Sequence, residues 1–454
     1  MNSTLIRKYD VPGPRYTSYP TVPFWKNDLM PMDKWIESLH TNYNKFNSSD
    51  ISVYVHLPFC ESLCTFCGCH KRITKNHQVE SPYMNAVINE WNLYMENLDF
   101  DPRIRELHFG GGTPTFFAPD ELIRLLENLF NTSSVDPKKC ELSFEAHPNN
   151  TTEEHLKKLY DFGFRRLSLG VQDYNPEVQK AIHRIQPFET VEKVHNMARE
   201  MGYSSISHDL VFGLPKQSLD NIIETVSKTL LLKPDRISLY SYAHVPWIKG
   251  NGQRGFDEND LPKSEVKREL YEAAKRMLES AGYLEIGMDH FALPEDSLSI
   301  AFDQKNLHRN FMGYTTMNTS MMIGLGMSAI SDSWFAFAQN EKGVEGYIEK
   351  VNKGEFPVYR GHLLTDQELE TRKYILDLMC HFETSFQTDS AFRNEHLKIA
   401  ERLNELVTDG LVIIENDHVK VTEKGGAFVR NCCMAFDQHL QEVNSTEKMF
   451  SRTI

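Results

Sequence analysis

Val55-His-Leu-Pro-Phe-Cys60-Glu-Ser-Leu-Cys64-Thr-Phe-Cys67-Gly-Cys69 follows directly on the alternating segment Ile51-Ser-Val-Tyr-Val55. The alternation reads as a short strand, so the three thiols of the C-x3-C-x2-C run sit on the loop leaving it. One backbone turn there aims several side chains at a common point. Thiolates are soft ligands, suited to zinc or to iron–sulfur clusters. Structural zinc takes four ligands, usually as two separated pairs, and a fully ligated cluster also takes four cysteines. Three close thiols therefore suggest a [4Fe–4S] cluster with one iron left open to bind something else. The alternative, buried or redox-active thiols without metal, fits the spacing and the position after a strand less well. Cys69 follows Cys67 too closely to be an obvious further ligand and needs its own role.

Outward from this loop, residues 51 to 291 alternate short β-like runs with amphipathic helices. The strands are expected at Ile51–His56, Ile104–Phe109, Glu141–Glu145, Arg166–Val171, Ser204–Asp209 and Arg236–Tyr242. Helical stretches fall between them, such as Ser81–Leu98, Asp120–Leu129 and Leu219–Leu232, the last with Ile222, Ile223, Val226 and Leu230 on one face. Such alternation implies βαβ units and a parallel sheet, and six units make a partial barrel rather than a complete one. Chemistry in such a fold sits at the C-terminal strand ends. There the chain has Gly110-Gly-Gly-Thr-Pro114, Glu145, Gln172, Asp209 and Tyr242-Ala-His-Val-Pro246, with Arg184 in the connection after the fourth strand. Three glycines let a ligand approach the backbone closely, where N–H and C=O groups meet a carboxylate or an amine. The bland readings are a plain tight turn for the glycines and helix caps for the polar residues.

The rest of the chain divides around this core. Residues 1–48 read as an arm, rich in turn formers and aromatics, and a helix, together covering the site; removing the arm to about Pro20 is expected to leave the fold intact. Residues 49–291 form the barrel, and Ile286–Ala292 can be read as a seventh strand with a buried His and nothing more. Residues 292–364 extend the barrel and supply a pocket wall around His308, Arg309 and Asn310. Residues 365–454 form a small helical, winged-helix-like domain, in which Cys432 and Cys433 are core thiols. Its helix at Leu397–Asp409 presents no basic face, and the net charge of −14 argues against nonspecific nucleic-acid binding. No apolar run approaches the ~20 residues needed to span a bilayer, and no signal-peptide h-region opens the sequence. Eight cysteines, three of them in one motif, fit a reducing cytosol better than a disulfide framework. The expectation is a cytoplasmic protein without membrane or nucleic-acid partners.

The cysteine spacing resembles the signature of radical S-adenosylmethionine (SAM) enzymes, whose core is a (β/α)6 partial barrel and whose open iron is chelated by SAM. Motifs spread over the chain narrow the resemblance: Gly13-Pro-Arg-Tyr-Thr-Ser-Tyr-Pro, Gly-Cys69, Gly-Val-Gln172-Asp, Gly-Leu-Pro-Lys216, Gly-Met-Asp-His290-Phe, Leu-His-Arg-Asn-Phe311 and Phe450-Ser-Arg-Thr-Ile454. Nearly end to end, the chain resembles the oxygen-independent coproporphyrinogen III oxidases (coproporphyrinogen dehydrogenases) of haem biosynthesis. The resemblance implies one [4Fe–4S] cluster on Cys60, Cys64 and Cys67, and two SAM molecules. Tyr54, Gly111, Glu145 and Ile330 would contact the first SAM. Phe66, Gly112, Thr113, Gln172, Arg184, Asp209 and Ala243 would contact the second. Cys69 is implied to serve turnover without ligating iron, with Tyr54 and Glu145 completing the catalytic set.

The implied reaction converts two propionates of coproporphyrinogen III to vinyl groups, giving protoporphyrinogen IX, by a 5′-deoxyadenosyl radical made from SAM. It implies a low-potential electron donor of flavodoxin or ferredoxin type, and a monomer. Since the substrate carries four carboxylates, basic residues must converge on the pocket; Arg15, Lys71, Arg72, Arg254 and Arg309 are candidates by position. Two departures stand out. Met312 replaces a common glutamine, weakening any polar contact there, and His147 replaces a usual aspartate and is expected to add positive charge. A haem-binding chaperone and a radical SAM enzyme of anaerobic haem degradation are the rival readings. Chaperone relatives generally lack the Gly-Cys69 pair and the arm, while the Met-Asp-His290 and His-Arg309-Asn stretches favour the biosynthetic enzyme over the degrading one.

Overall fold

Ile51-Ser-Val-Tyr-Val-His, Leu142-Ser-Phe-Glu, Leu167-Ser-Leu-Gly, Ile206-Ser-His-Asp and Ile237-Ser-Leu-Tyr share one rhythm, small or polar residues alternating with larger ones. Side chains point alternately to the two faces of a strand, so this rhythm makes one face polar and the other largely apolar. In the computed structural model, which describes residues 3–25, 30–247, 252–253, 255–443 and 449–453, these runs become parallel strands. They are β1 (Asp50–Leu57), β2 (Arg103–Gly111), β3 (Glu141–Ala146), β4 (Arg166–Gln172), β5 (Ser205–Phe212) and β6 (Arg236–Ser241). The outward residues, among them Val53, Val55, Leu107, Phe109, Phe144 and Leu169, join the helices in one buried core. The helix Pro119–Asn131 buries Leu122, Leu125, Leu126 and Leu129 against it, one turn apart along a single face.

The sheet continues past both ends of this set. Beyond β6 a hairpin is added, β7 (Leu284–Gly287) and β8 (His290–Ala292), so Ile286–Ala292 is not a single seventh strand. Asp289 takes a φ of 67° at the reversal, which divides the apolar run in two. Beyond β1 lies β9 (Met322–Leu325), parallel to it, followed by the antiparallel β10 (Ile330–Asp332), β11 (Ala336–Asn340) and β12 (Val358–Leu363). The strand order runs from β7 to β12 without returning on itself, which leaves the barrel open. Among the described residues, no helix is long and apolar enough to cross a membrane.

A second core belongs to the C-terminal part. The helices Asp366–His381, Arg393–Thr408 and Val429–Phe436 pack beside a three-stranded sheet, giving the winged-helix-like pattern, and Cys432 and Cys433 are buried there. The arm is built into this core: Leu5, Tyr9, Tyr16 and Tyr19 are buried in it. Tyr16 donates to Asp437 over 3.0 Å, and the buried Arg430 guanidinium donates to the carbonyls of Gly13, Pro14, Arg452 and Thr453. The arm is therefore no detachable lid. Deleting residues 1–20 strips four large side chains from the core, each worth about 1.5–3 kcal/mol when fully buried. It also leaves a buried cation short of acceptors, at roughly 1–3 kcal/mol or more. Against a whole-domain stability of about 5–15 kcal/mol, the C-terminal core is expected to unfold. Tryptophan fluorescence and proteolysis of the truncated protein check this; native-like protease resistance of residues 365–443 would refute it.

Candidate active site

The cysteine loop is clasped at its base. Residues Phe59–Cys60 pair with Arg72–Ile73, so Arg72 N–H bonds to Pro58 O and Thr74 N–H to Cys60 O, both at 2.9 Å. Inside the loop Cys67 N–H turns back to Cys64 O at 3.2 Å, and Thr65 bonds through N–H and hydroxyl to Ile182 and Ala181. The glycine turn after β2 locks against the loop's start: Gly112 N–H reaches Leu57 O at 2.8 Å and Thr113 N–H reaches Phe59 O at 3.0 Å. A Cβ on Gly112 would come within 2.5 Å of Pro58 O, and Gly111 holds a φ of 114°. The glycines thus serve close backbone packing first, and the turn offers a ligand fewer N–H donors than its composition suggests.

The sulfurs already have polar company. Thr113 Oγ1 lies 3.3 Å from Cys60 Sγ, and Arg184 Nη1 lies 3.7 Å from Cys64 Sγ. Burial pushes the Cys60 thiol up to about 11. A hydrogen bond from Cys69 draws Cys67 down, helped by the charge of Lys71, while Cys69 is held up as the protonated partner. Three thiols around one cavity, each receiving a hydrogen bond, fit an iron–sulfur cluster, whose sulfur ligands are tuned by such donors. No trio of His, Cys, Asp or Glu among the described residues is grouped to hold a single ion. A cluster sets its thiolates farther apart, because each binds its own iron.

The inner barrel face supplies the rest. Cross-strand register puts Tyr54 beside His108, His108 beside Ser143, Glu145 beside Ser168, and Asp209 beside Gly170 and Ser238. His56 Nε2 lies 2.8 Å from His70 O, which can only accept, so Nε2 carries the proton and Nδ1 accepts from Tyr54 OH at 3.1 Å. Burial keeps this imidazole neutral, below its ordinary value. Burial acts to raise Glu145, but His108, 3.7 Å away, and the Gly111 N–H at 3.2 Å hold it below the usual carboxylate range. Asp209 goes the other way, pushed up to about 6 by burial despite a 2.8 Å bond from Ser168. Two carboxylates in one cavity are thereby set apart, the pattern expected where each has its own task.

The larger chamber, about 620 Å³, is lined by Cys60, Cys64, Phe66, Cys67 and Cys69, by Gly111, Gly112, Thr113 and Glu145, and by Gln172, Arg184, Asp209 and Ala243. Tyr54 and Ile330 line a smaller one of about 340 Å³, which shares Cys69, Gly111 and Glu145 with the first. Every residue that the resemblance implies for the cluster and the two SAM molecules borders one of the two, whereas His308 and Asn310 of the expected pocket wall border neither, and both volumes suit small-molecule ligands. Gln172 takes a φ of 67°, a strained conformation of the kind that collects at functional sites.

The basic residues divide. Arg15 and Lys71 line the larger chamber, and Arg15 is fixed to Asp289 at 3.1 Å and to Ser241 O at 2.8 Å. Arg72 is paired with Glu345 at 2.7 Å. Arg309 is buried over the Tyr314 ring and borders neither chamber, because it packs beneath the arm. Arg254 and Ile454 lie outside the described residues. His147 lines the larger chamber but adds no charge: burial, then the nearby Arg184, hold it down at about 3. Met312 lines the smaller chamber as an apolar wall. Sequence reasoning missed His108 and Ser168, which orient the two carboxylates, although their places in the strand alternation signalled an inward face. It also missed Gln253, whose amide bridges Phe66 O and Ala243 O at 3.0 Å each and which no local pattern marks.

Comparison with known proteins agrees with this geometry. Residues 54–229 match the model of the radical SAM superfamily. The chain is 36% identical over 460 residues to an oxygen-independent coproporphyrinogen III oxidase of Pseudomonas aeruginosa, covering 100% of this chain and 98% of the relative. It is 38% identical over 461 residues to the protein of the same description from Helicobacter pylori, covering 98% of each. The solved structure of coproporphyrinogen III oxidase from Escherichia coli, described as a radical SAM enzyme, superposes with a TM-score of 0.89 at 34% identity, over 96% of this chain and 99% of that one.

Proposed function

Because this chain belongs to the oxygen-independent coproporphyrinogen III oxidase family of the radical SAM superfamily, we infer that it decarboxylates two propionates of coproporphyrinogen III to vinyl groups, giving protoporphyrinogen IX. The activity draws on SAM and an iron–sulfur cluster. The observation that carries the reading is the convergence of three thiols, an ionised Glu145 and the glycine turn on one chamber at the C-terminal strand ends. Cys60, Cys64 and Cys67 would hold the cluster in its [4Fe–4S] form. When bound, cluster and SAM supply the low-potential electron and the hydrogen-abstracting chemistry that a propionate β-carbon requires.

The remaining residues bind, orient and exclude water. Glu145, anionic and fixed by His108 and Gly111, suits the positive charge of a first SAM, with Tyr54 and Ile330 flanking it from the smaller chamber. Phe66, Gly112, Thr113, Gln172, Arg184, Asp209 and Ala243 form the complementary wall for a second SAM. Cys69, which lines both chambers, is the candidate for a role in turnover that does not ligate iron. All eight cysteines are free, as suits a cytoplasmic protein. Our reading is a monomer fed by a flavodoxin- or ferredoxin-type donor.

The direct test incubates reduced, cluster-loaded protein with SAM and coproporphyrinogen III and measures protoporphyrinogen IX. No product, with the cluster intact, overturns the reading. The second SAM has its own test. Carboxylates bind ribose hydroxyls, as the acidic residue of dinucleotide folds does. Asp209→Ala is expected to weaken one of two SAM sites by roughly a few-fold to a hundredfold, the range of a lost hydrogen bond to a neutral or charged group. Anaerobic equilibrium binding counts the sites, and a single site in the wild type refutes simultaneous occupancy.

A further inference from the structure

A tetra-anionic substrate must approach a chain of net charge −14, so cations near the site that lack acidic partners are informative. Two such cations stand near the end of the β11–β12 pairing, one in it and one in the loop just beyond. Arg360 lies opposite Gln339 and donates through Nε to its Oε1 at 2.8 Å, with its guanidinium 5.7 Å from the centre of the Trp25 ring. Lys342 follows in the connecting loop, its ammonium 5.3 Å from the centre of the Tyr359 ring. Glu341, the adjacent acid, is taken by Lys350 at 2.7 Å. Among the described residues neither cation meets a carboxylate, and Lys342 is pushed down by its own burial and by the charge of Arg360. Like charges near each other without a counter-charge repel, and a bound anion relieves that repulsion.

The pair borders the site. Gln339, which Arg360 grips, lines the smaller chamber, as does Ser328, whose N–H bonds to Glu341 O at 2.7 Å. Their field reaches His70, in the same chamber wall beside Cys69, which burial and then Lys342, His56, Arg360 and Lys71 hold down at about 4. Lys71 completes the group: its ammonium donates to the carbonyls of Cys67 and Cys69 at 3.2 Å each and meets no acid among the described residues. Lys342 and Arg360 therefore lie behind the wall of the smaller chamber that Gln339 and Ser328 form, and Lys71 stands in the larger chamber beside Cys69.

We propose that Lys342 and Arg360, backed by Lys71, form a carboxylate subsite at the mouth of the smaller chamber that grips a propionate of the substrate other than the reacting one. The proposal rests on the reaction inferred above. Arg360 spends Nε on Gln339 and keeps its Nη edge for a carboxylate, which a guanidinium can bind through two parallel bonds. The propionates sit at set places around the macrocycle, so fixing one at this mouth presents another to the larger chamber beyond Cys69. Such remote binding energy positions the reacting carbon.

The test compares wild type with Lys342→Gln, Arg360→Gln and the double variant. The first readout is equilibrium binding of coproporphyrin III, the non-reacting oxidised ring with the same four carboxylates, with its tetramethyl ester as control. The double variant is expected to bind the acid about ten- to a hundredfold more weakly and the ester no differently from wild type, as for lost charge-assisted hydrogen bonds. In turnover, KM for coproporphyrinogen III should rise in parallel while kcat stays within about threefold, with iron content and SAM binding unchanged. Unchanged binding of the acid overturns the subsite, and so does a fall in kcat at constant KM. Lys342→Gln removes a loop charge that meets no carboxylate among the described residues, so its expected several-fold loss keeps the proposal testable if Arg360→Gln misfolds. A wild type that binds the acid but makes no product sinks the inferred reaction, while the binding comparison still decides the subsite.

Discussion

Cys67→Ala protein, prepared without oxygen, is expected to contain essentially no iron or sulfide, whereas wild type carries about four of each, as a single [4Fe–4S] cluster requires. The reasoning is one of ligand number. The cavity brings three thiols together, and the fourth nearby cysteine, Cys69, stands as hydrogen-bond donor to Cys67 rather than as its substitute. Removing one of three anchors leaves two irons of the cube open to solvent and thiols, and such clusters fall apart. The same variant loses SAM bound at the open iron, which equilibrium binding reads independently of activity. The loop should survive the loss, because its clasp at Pro58, Cys60, Arg72 and Thr74 is made of backbone bonds. Iron-free wild type with full activity, or zinc at one ion per chain, would refute the cluster.

Cys69→Ser should separate binding from chemistry. Its sulfur borders both chambers, so it is reached from the cofactor side and from the substrate side at once. The expected result is unchanged iron content and an unchanged cluster spectrum, with turnover falling strongly. A hydroxyl can keep the hydrogen bond to Cys67, so the change removes the sulfur and not the contact. If Cys69→Ser instead empties the cluster as completely as Cys67→Ala, Cys69 is a ligand and the open iron does not exist.

Much of this site was legible because strand alternation is a local signal. Tyr54, Glu145 and Asp209 occupy inward positions, and their strands begin or end within a few residues of where period-two reading puts them. The triad and the glycine turn were legible for the same reason, since each is contiguous. What escaped depends on contacts distant in sequence. Ile286–Ala292 reads as one apolar strand, because nothing local announces that Asp289 adopts a left-handed conformation. The arm reads as a cover, because its partners Arg430 and Asp437 lie more than 400 residues away. Lys342 and Arg360 look like ordinary surface charges until the pairing of β11 with β12 puts Arg360 opposite Gln339 and Lys342 in the loop just beyond, with no carboxylate on either among the described residues. His147 looks cationic until burial against Arg184 is known.

The pairing of the arm with the C-terminal residues also orders events in time. Gly13 N–H bonds to Ser451 O at 3.0 Å and Thr453 N–H to Val11 O at 2.8 Å, with Pro12 and Arg452 bridged between them. These partners are 442 positions apart for Val11 and Thr453. The barrel draws mostly on neighbouring βαβ units and can assemble as they leave the ribosome, since domains generally fold as units during synthesis. The second core cannot, because one part of it precedes the barrel in sequence and its partner follows it, 442 positions later for Val11 and Thr453. At about 5–20 residues per second, the segment carrying Tyr9 and Tyr16 waits roughly 20–90 seconds for its partners. During that interval its aromatic side chains are exposed, and a chaperone that holds extended apolar segments would find them there, on a nascent chain whose barrel is already formed.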